Sequence, residues 1–306
     1  MMRTDILTLK GLSSANFDRD GNILVVCSEG GRPQLWKIEY NGQSFGRRQV
    51  LTTATGLTVF NFLPLPSGEI VFEGSFGGKP NVFLLTPEQV RYVNCNPEKE
   101  DSLGCFLRDN VFFLSNQSLF CFDIRQPLSS FIKFNDLSGD ILSIQDISID
   151  GFIVVFFLEK FGQGIYILEG KRYGQKKVLF FPKEKKFSYL RFSFDQKSLL
   201  AVVDRNVEQF NFEENIWIKL DVDNDNRASV VNIARGSSGF LIAREKKGCG
   251  SIELWSTITQ RRVLDFGLRF GSPRCVRWSI DGRRFLFITP TVKGKSSLFV
   301  AEIGDK

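Results

Sequence analysis

A short turn recurs along this chain, and its spacing constrains the fold more than any other feature. The turn sits each time between two apolar runs. It reads DRDG at Asp18–Gly21, LPSG at Leu65–Gly68 and a degenerate RDN at Arg108–Asn110. It returns as SIDG at Ser148–Gly151, DQKS at Asp195–Ser198, GSSG at Gly236–Gly239 and SIDG at Ser279–Gly282. The steps between the last residues of successive turns are 47, 42, 41, 47, 41 and 43 residues. A period in that range is the length of one four-stranded unit in a repeat architecture. Turns at seven places predict seven such units.

The rest of each unit keeps one order. After the turn comes an apolar second strand, as in ILVVCSE, EIVFEGS, FIVVFFLE or RFLFITP. A polar or glycine-containing link follows, then a third strand such as QLWKIEY, NVFLLT or SSLFVAEI. These runs are short and rich in Phe, Val, Ile, Leu and Trp, which is the strand signature. A fourth strand follows six of the third strands: RRQVLT, VRYVN, SFIKF, KKVLFF, IWIKLDV and RRVLDFG. After SSLFVAEI no seventh follows. At the other end DILTLKG, Asp5–Gly11, precedes the first unit and has no unit of its own. Set beside SSLFVAEI it supplies the missing strand. The expected fold is therefore all-β, a seven-bladed β-propeller of four-stranded antiparallel blades whose last blade is completed by the N-terminal strand. The blades fall at 12–53, 54–94, 95–135, 136–181, 182–222, 223–267 and 268–306 plus 1–11, in one domain.

Composition excludes more chemistry than it suggests. The chain has no His among 306 residues, so a Ser-His-Asp or Cys-His nucleophile and a His-ligated metal or haem are excluded. The six Cys (Cys27, Cys95, Cys105, Cys121, Cys249, Cys275) form no C-x-x-C pair and fall mostly in apolar runs, as buried free thiols of a reducing compartment would. No cofactor and no metal site is expected. The N-terminal apolar stretch is interrupted by Asp5 and Lys10, unlike a signal-peptide core, and no run approaches the length of a membrane-spanning helix. A cytoplasmic location, or one on the cytoplasmic side of a membrane complex, is the expectation. Lys and Arg total 40 against 34 Asp and Glu, a net charge of +6. That favours polyanions only if the charge is clustered.

Two segments carry a family resemblance. GSIELWSTITQRRVLDF followed by SPRCVRWSIDGRRFLFI, Gly250–Ile288, resembles a WD-repeat: a strand ending in Leu-Trp, a turn, a strand, a loop and a strand entering an S-x-D-G turn. SSANFDRDGNILVVCSEGGRPQLWKIEYNG, Ser13–Gly42, is similar to a blade of the TolB and prolyl-oligopeptidase type. The WD-repeat network of loop His, strand hydroxyl and Trp-Asp is missing here, since there is no His and Ser256 follows Trp255. The blades are then expected to be held by packing and ladder hydrogen bonds alone, with the 31 Phe filling the space between them. The prolyl-oligopeptidase likeness implies no peptidase, because the chain carries neither a G-x-S-x-G elbow nor a second, α/β domain.

Three function classes remain. The first in weight is a non-catalytic scaffold or accessory subunit that docks other proteins, with Phe45 and Tyr173 among its exposed anchors. The second is contact with RNA or an anionic surface through basic turns between third and fourth strands. Those residues are Arg47, Arg48, Lys171, Arg172, Lys176, Lys177, Arg261 and Arg262. The third is a carboxylate- or metal-dependent hydrolase or lactonase, for which the links between fourth and first strands carry acids: Glu98, Glu100 and Asp101, Asp136 and Asp140, and Asp221, Asp223 and Asp225.

Overall fold

The computed structural model describes residues 3–93, 100–126, 132–133, 140–148, 152–159, 162–169, 176–179, 187–193, 196–204, 206–220, 229–235, 239–246, 249–256, 262–268, 273–279, 281–290 and 295–303. By its contacts the chain divides into two compact units. One is Met1–Thr53 with Phe187–Lys306, and the other is Ala54–Lys186.

Among the described residues every sheet is four-stranded and antiparallel. After β1 (Arg3–Lys10), the strands β2 (Ser14–Phe17), β3 (Ile23–Cys27), β4 (Gln34–Tyr40) and β5 (Phe45–Val50) form a sheet in chain order. The same order holds for β6 (Thr58–Pro64), β7 (Ile70–Ser75), β8 (Asn81–Leu85) and β9 (Val90–Tyr92). It holds again for β10 (Asp101–Leu107), β11 (Asn110–Ser115), β12 (Ser118–Asp123) and β13 (Ile132–Lys133), and for β14 (Asp140–Ile147), β15 (Phe152–Glu159), β16 (Gly162–Glu169) and β17 (Lys176–Leu179). Two more sheets follow: β18 (Phe187–Phe192), β19 (Ser198–Val203), β20 (Asn206–Asn211) and β21 (Ile216–Lys219), then β22 (Ser229–Arg235), β23 (Gly239–Lys246), β24 (Cys249–Ser256) and β25 (Arg262–Leu268). The last sheet runs β1-β28-β27-β26, from β26 (Arg274–Trp278), β27 (Arg284–Pro290) and β28 (Lys295–Glu302). The N-terminal strand thus takes the place expected of it. It pairs along its whole length with β28, from Arg3 opposite Glu302 to Lys10 opposite Lys295.

Side-chain alternation explains why the second strands read as unbroken apolar runs. In β11, Val111 and Phe113 pack with Val71, Val82 and Leu84 of the preceding sheet, while Phe112 and Leu114 pack with Ile141, Ile147 and Ile153 of the next. Both faces are buried, so polar positions have no place in the run. The same pattern recurs in the other unit, where Leu200 and Val202 meet Phe240 and Ile242, and Leu241 and Ala243 meet Phe285 and Phe287. Phenylalanines fill much of this space. Phe287 stacks on Phe299 at 4.8 Å between centroids, and Phe72 on Phe83 at 5.0 Å.

The recurring turn has a definite geometry. In DRDG the Gly21 N–H donates to the Asp18 carbonyl (3.2 Å) and Gly21 has φ +81°; in LPSG the Gly68 N–H donates to the Leu65 carbonyl (3.0 Å) and Gly68 has φ +104°. Such left-handed positions favour glycine and let a hairpin match the twist of its strands. At the fifth repeat the expected DQKS turn is displaced by two residues. The donor to the Ser193 carbonyl is Gln196 (3.0 Å, φ +60°), and Ser198 already begins β19. Ser193 there does what Ser279 does in SIDG: its hydroxyl accepts the N–H of the residue five positions on, at 3.0 Å in both turns. RDN is a two-residue connection, with Arg108 at φ +56° and Leu107 opposite Asn110.

First strands carry bulges that nothing in the repeat announced. The pairing shifts at Phe60 in β6, at Gly104 in β10 and at Leu142 in β14. Gly104 is required by close approach: a Cβ there would stand 2.7 Å from the Phe112 carbonyl oxygen and would collide with the Ile144 side chain.

Candidate functional site

Several of the basic residues singled out in the sequence lie in strands rather than turns. Arg47 and Arg48 are inside β5, whose turn is residues 41–44; Lys176 and Lys177 open β17, and Arg262 opens β25. These are the fourth, outer-edge strands of their sheets, because each pairs on one side only. Lys171, Arg172, Tyr173 and Arg261 lie outside the described residues, as do Glu98, Asp136 and Asp221–Asp225. Consecutive strand residues face opposite ways, so Arg47 and Arg48 do not share a patch. Phe45 is half-buried. Its ring lies 5.3 Å from that of Tyr40 and packs on the core between the first and last sheets, so it is a packing residue rather than a free anchor.

Arg48 stands directly opposite Ile38, and Trp36 opposite both Val25 and Val50. This register gathers one face of the β2–β5 sheet toward β1. Between them lies a cleft of about 90 Å³ lined by Leu9, Val25, Cys27, Glu29, Trp36, Ile38 and Arg48. Leu9, Val25, Cys27 and Ile38 are buried, and burial pushes the Cys27 thiol above its ordinary range, so it stands neutral. The Trp36 indole N–H is buried without a hydrogen-bond partner. Glu29 and Arg48 are exposed. Glu29 Oε1 accepts the Lys10 backbone N–H at 2.7 Å, while among the described residues Arg48 makes no ion pair or side-chain hydrogen bond.

Polar contacts join the first sheet to the last. The Tyr40 hydroxyl donates to Asp5 Oδ2 at 2.7 Å, the Ser28 N–H donates to the Lys10 carbonyl at 2.9 Å, and the Cys275 thiol lies 3.2 Å from both the N–H and the carbonyl of Ala15. The Arg284 guanidinium lies 5.8 Å from the ring centres of both Phe17 and Tyr40. Within the first sheet, Lys37 Nζ lies 2.8 Å from Asp18 Oδ2. Burial works to raise the Asp18 carboxyl, but Lys37 and the Asn22 donors outweigh it and hold the group below its ordinary range.

The sheet of β22–β25 holds a polar cluster that sequence reasoning missed. Glu253 Oε2 accepts the Trp255 indole N–H at 2.9 Å and lies 2.9 Å from Arg244 Nε. Arg244 is 7% exposed and Glu253 4%, so packing and ladder bonds are not alone in holding this sheet. The signal was the alternation in IELWS, which places Glu253 and Trp255 on one face.

In the other unit an aromatic ledge stands out. Phe76, in the β7–β8 link, is 45% exposed, and Tyr92, in the edge strand β9, is 44% exposed. Their ring centres are 6.1 Å apart and both rest on buried Phe83, at 5.8 and 4.5 Å. The link is open: a Cβ on Gly77 or Gly78 would meet nothing within 4 Å. Lys79 in the same link and Arg91 beside Tyr92 are exposed and make no ion pair among the described residues. Also among the described residues, no three acidic or Cys side chains are grouped as a metal ion would need, and no helix is long and apolar enough to cross a membrane.

No family model matches the chain, and no curated protein matches it. Solved structures do. One, from a structural and mechanistic study of two prolyl endopeptidases, aligns over 97% of this chain with a TM-score of 0.69 at 10% identity. The chain spans 51% of that protein's length. The tricorn protease aligns over 91% of this chain and 28% of its own, with a TM-score of 0.46 at 11% identity. At 10% identity the first likeness is one of fold. Together with the sheet order and the N-terminal strand in the last sheet, it makes this chain a β-propeller of four-stranded antiparallel blades that resembles the propeller domain of prolyl endopeptidases.

Proposed function

We propose that this chain is a non-catalytic, seven-bladed propeller that docks other proteins as a scaffold or accessory subunit. The observation that carries the reading is the ledge of Phe76 and Tyr92. Two large rings left about half exposed on a rigid Phe83 base have the character of interface anchors, since they offer apolar area at little cost in conformational entropy. Unpaired Lys79 and Arg91 beside them suit a partner surface that presents an apolar side chain flanked by carboxylates. The lack of any imidazole in the sequence weighs against the common hydrolytic sites.

The test is affinity purification of the full chain from its native source, with nuclease treatment and in moderate salt, followed by mass spectrometry. Wild-type chain retains partner proteins at fixed stoichiometry, and the double variant Phe76→Ser, Tyr92→Ser loses them while keeping its far-UV circular dichroism. Partners released by nuclease, or lost steeply with salt through counterion release, favour an RNA or other polyanion ligand instead. Partners held equally by wild type and variant overturn the assignment of the ledge.

A further inference from the structure

The outer strand β21 presents an apolar edge where β5 and β17 present charge. Those two strands carry adjacent basic residues, Arg47–Arg48 and Lys176–Lys177, and a charged edge keeps a sheet from adding another strand. β21 begins Ile216–Trp217–Ile218, with Ile216 48% and Ile218 37% exposed, and its first charge comes only at Lys219. We propose that β21 is a self-association edge, on which two copies of this chain join their sheets by antiparallel pairing centred on Trp217.

The backbone offers the ladder. Among the described residues β21 pairs on one side only, with β20, where Phe210 stands opposite Trp217 and Glu208 opposite Lys219. The Leu220 N–H donates to the Val207 carbonyl at 3.1 Å and continues that register. Hydrogen-bonded and non-hydrogen-bonded pairs alternate along an antiparallel ladder. Ile216 and Ile218 therefore bond toward β20, and the N–H and C=O of Trp217 and Lys219 point out of the sheet. A second copy laid antiparallel, with Trp217 opposite Trp217, exchanges both bonds at the centre of a two-fold contact. The strand is held in place for this, because the Trp217 ring rests on Phe210 at 5.1 Å and Phe187 at 5.7 Å between ring centres, on the face away from the isoleucines.

The side chains are self-complementary in the same register. Ile216 of one copy faces Ile218 of the other in a non-hydrogen-bonded pair, the closer of the two spacings, and the two-fold repeats the contact. The exposed isoleucines thus cover one another. Charge selects the direction. Glu214 lies in the turn just before β21, and Lys219 ends the strand. Both are exposed, and among the described residues neither side chain makes an ion pair or hydrogen bond, whereas neighbouring Glu213 lies 4.0 Å from Lys197. Antiparallel pairing brings each Lys219 to the Glu214 end of the other copy, while parallel pairing sets like charges side by side. A strand with its acid at one end and its base at the other is complementary to itself in one direction.

A four-residue strand on each side makes a small interface, so the dimer is weak, with Kd on the order of 100 µM. Sedimentation equilibrium of the full chain, from about tenfold below that value to about tenfold above it, reads the monomer–dimer balance. A reducing agent excludes dimers made through the exposed Cys249. Ile218→Lys, which puts a charge into the edge, weakens the dimer at least about tenfold. Glu214→Lys alone and Lys219→Glu alone each weaken it at least about threefold, and an equimolar mixture of the two dimerises as tightly as wild type, because each chain then meets the charge it lacks. The ledge variant Phe76→Ser, Tyr92→Ser dimerises as wild type does, which separates this edge from the ledge. Circular dichroism and thermal melting confirm that each variant is folded. A wild type that stays monomeric over the whole range, a dimer untouched by Ile218→Lys, a mixture no tighter than its components, or loss of the dimer in the ledge variant each overturns the proposal.

Discussion

Replacing Leu9 by alanine should cost far more than replacing Ile6, though both lie in β1 and share the same ladder with β28. Leu9 is 1% exposed and belongs to the core between the first and last sheets, whereas Ile6 is 57% exposed on the outward face. Leu→Ala removes about three carbons. At about 0.8 kcal/mol per buried carbon the transfer loss is about 2.4 kcal/mol, and a cavity term adds to it. The vacated space opens onto the cleft that Leu9 lines, so water enters and the cavity term stays small, giving about 2–3 kcal/mol in all. Ile6→Ala removes a side chain less than half buried and should cost about 1 kcal/mol or less. Urea unfolding followed by tryptophan fluorescence and by circular dichroism reads the difference as a shift in midpoint at constant slope. Removing residues 1–10 is the limiting case, with the loss of eight ladder pairs, and should leave the unit near the threshold of folding. Equal costs for Leu9→Ala and Ile6→Ala, within about 0.5 kcal/mol, would refute the placement of β1 as the strand that seals the last sheet against the first.

Three further outcomes follow from the electrostatics and the thiols. Asp18 is depressed in the fold, so its contribution is present above its unfolded value of about 3.9 and is lost as pH falls through the lower folded value. Asp18→Asn should therefore flatten the stability profile below about pH 4, and a profile of unchanged slope there would count against the Lys37 contact. Burial raises the Glu73 carboxyl, offset in part by the Leu103 N–H at 3.1 Å and reinforced by Glu100 and Asp101. A raised acid destabilises as pH climbs from its unfolded value of about 4.3 through the folded one, so Glu73→Gln should be neutral or stabilising at pH 7, and that gain should vanish below pH ~4, where the carboxyl is protonated in both states. Burial, with Asp123 nearby, pushes the Cys121 thiol to about 12, and burial raises Cys27 as well, whereas Cys249 is exposed. Titration with a thiol reagent at pH 8 should modify Cys249 quickly and leave Cys121 and Cys27 unmodified until denaturant is added.

What the sequence made legible was what repeats, and what it hid was what happens once. The second strands stand out because burial on both faces removes polar positions, and the N-terminal strand was placed by a shortfall of one fourth strand. The fifth turn was misplaced because glycine was the marker and Gln196 occupies that position; the serine that opens the turn, in S-F-D-Q at Ser193–Gln196 as in S-I-D-G, was the better guide. The bulges at Phe60, Gly104 and Leu142 fall on unlike residues because a bulge is set by the pairing partner as much as by the bulged residue. The cleft needs residues from β1, β3, β4 and β5 and the Glu29 link, brought together only by register. Arg244 and Glu253 read as solvated charges until their strands are stacked between two other sheets.

The contacts at β1 explain why a strand from the far end of the chain finds one register. A sheet built from consecutive strands is aligned by its turns, but β1 and β28 share no turn. A shift of one residue would turn Ile6 and Thr8 inward and Leu7 and Leu9 out, and the core excludes it. A shift of two residues keeps the apolar face and must be excluded by something else. Polar contacts do this at both ends of the strand. Asp5 takes the Tyr40 hydroxyl near its start, and Lys10 binds both Glu29 and the Ser28 N–H at its finish. A two-residue slip would break all three and take the Asp5 carboxylate away from the largely buried Tyr40 hydroxyl. Apolar burial therefore decides which face of β1 points inward, and the hydrogen bonds of Asp5 and Lys10 decide where along β28 it stops.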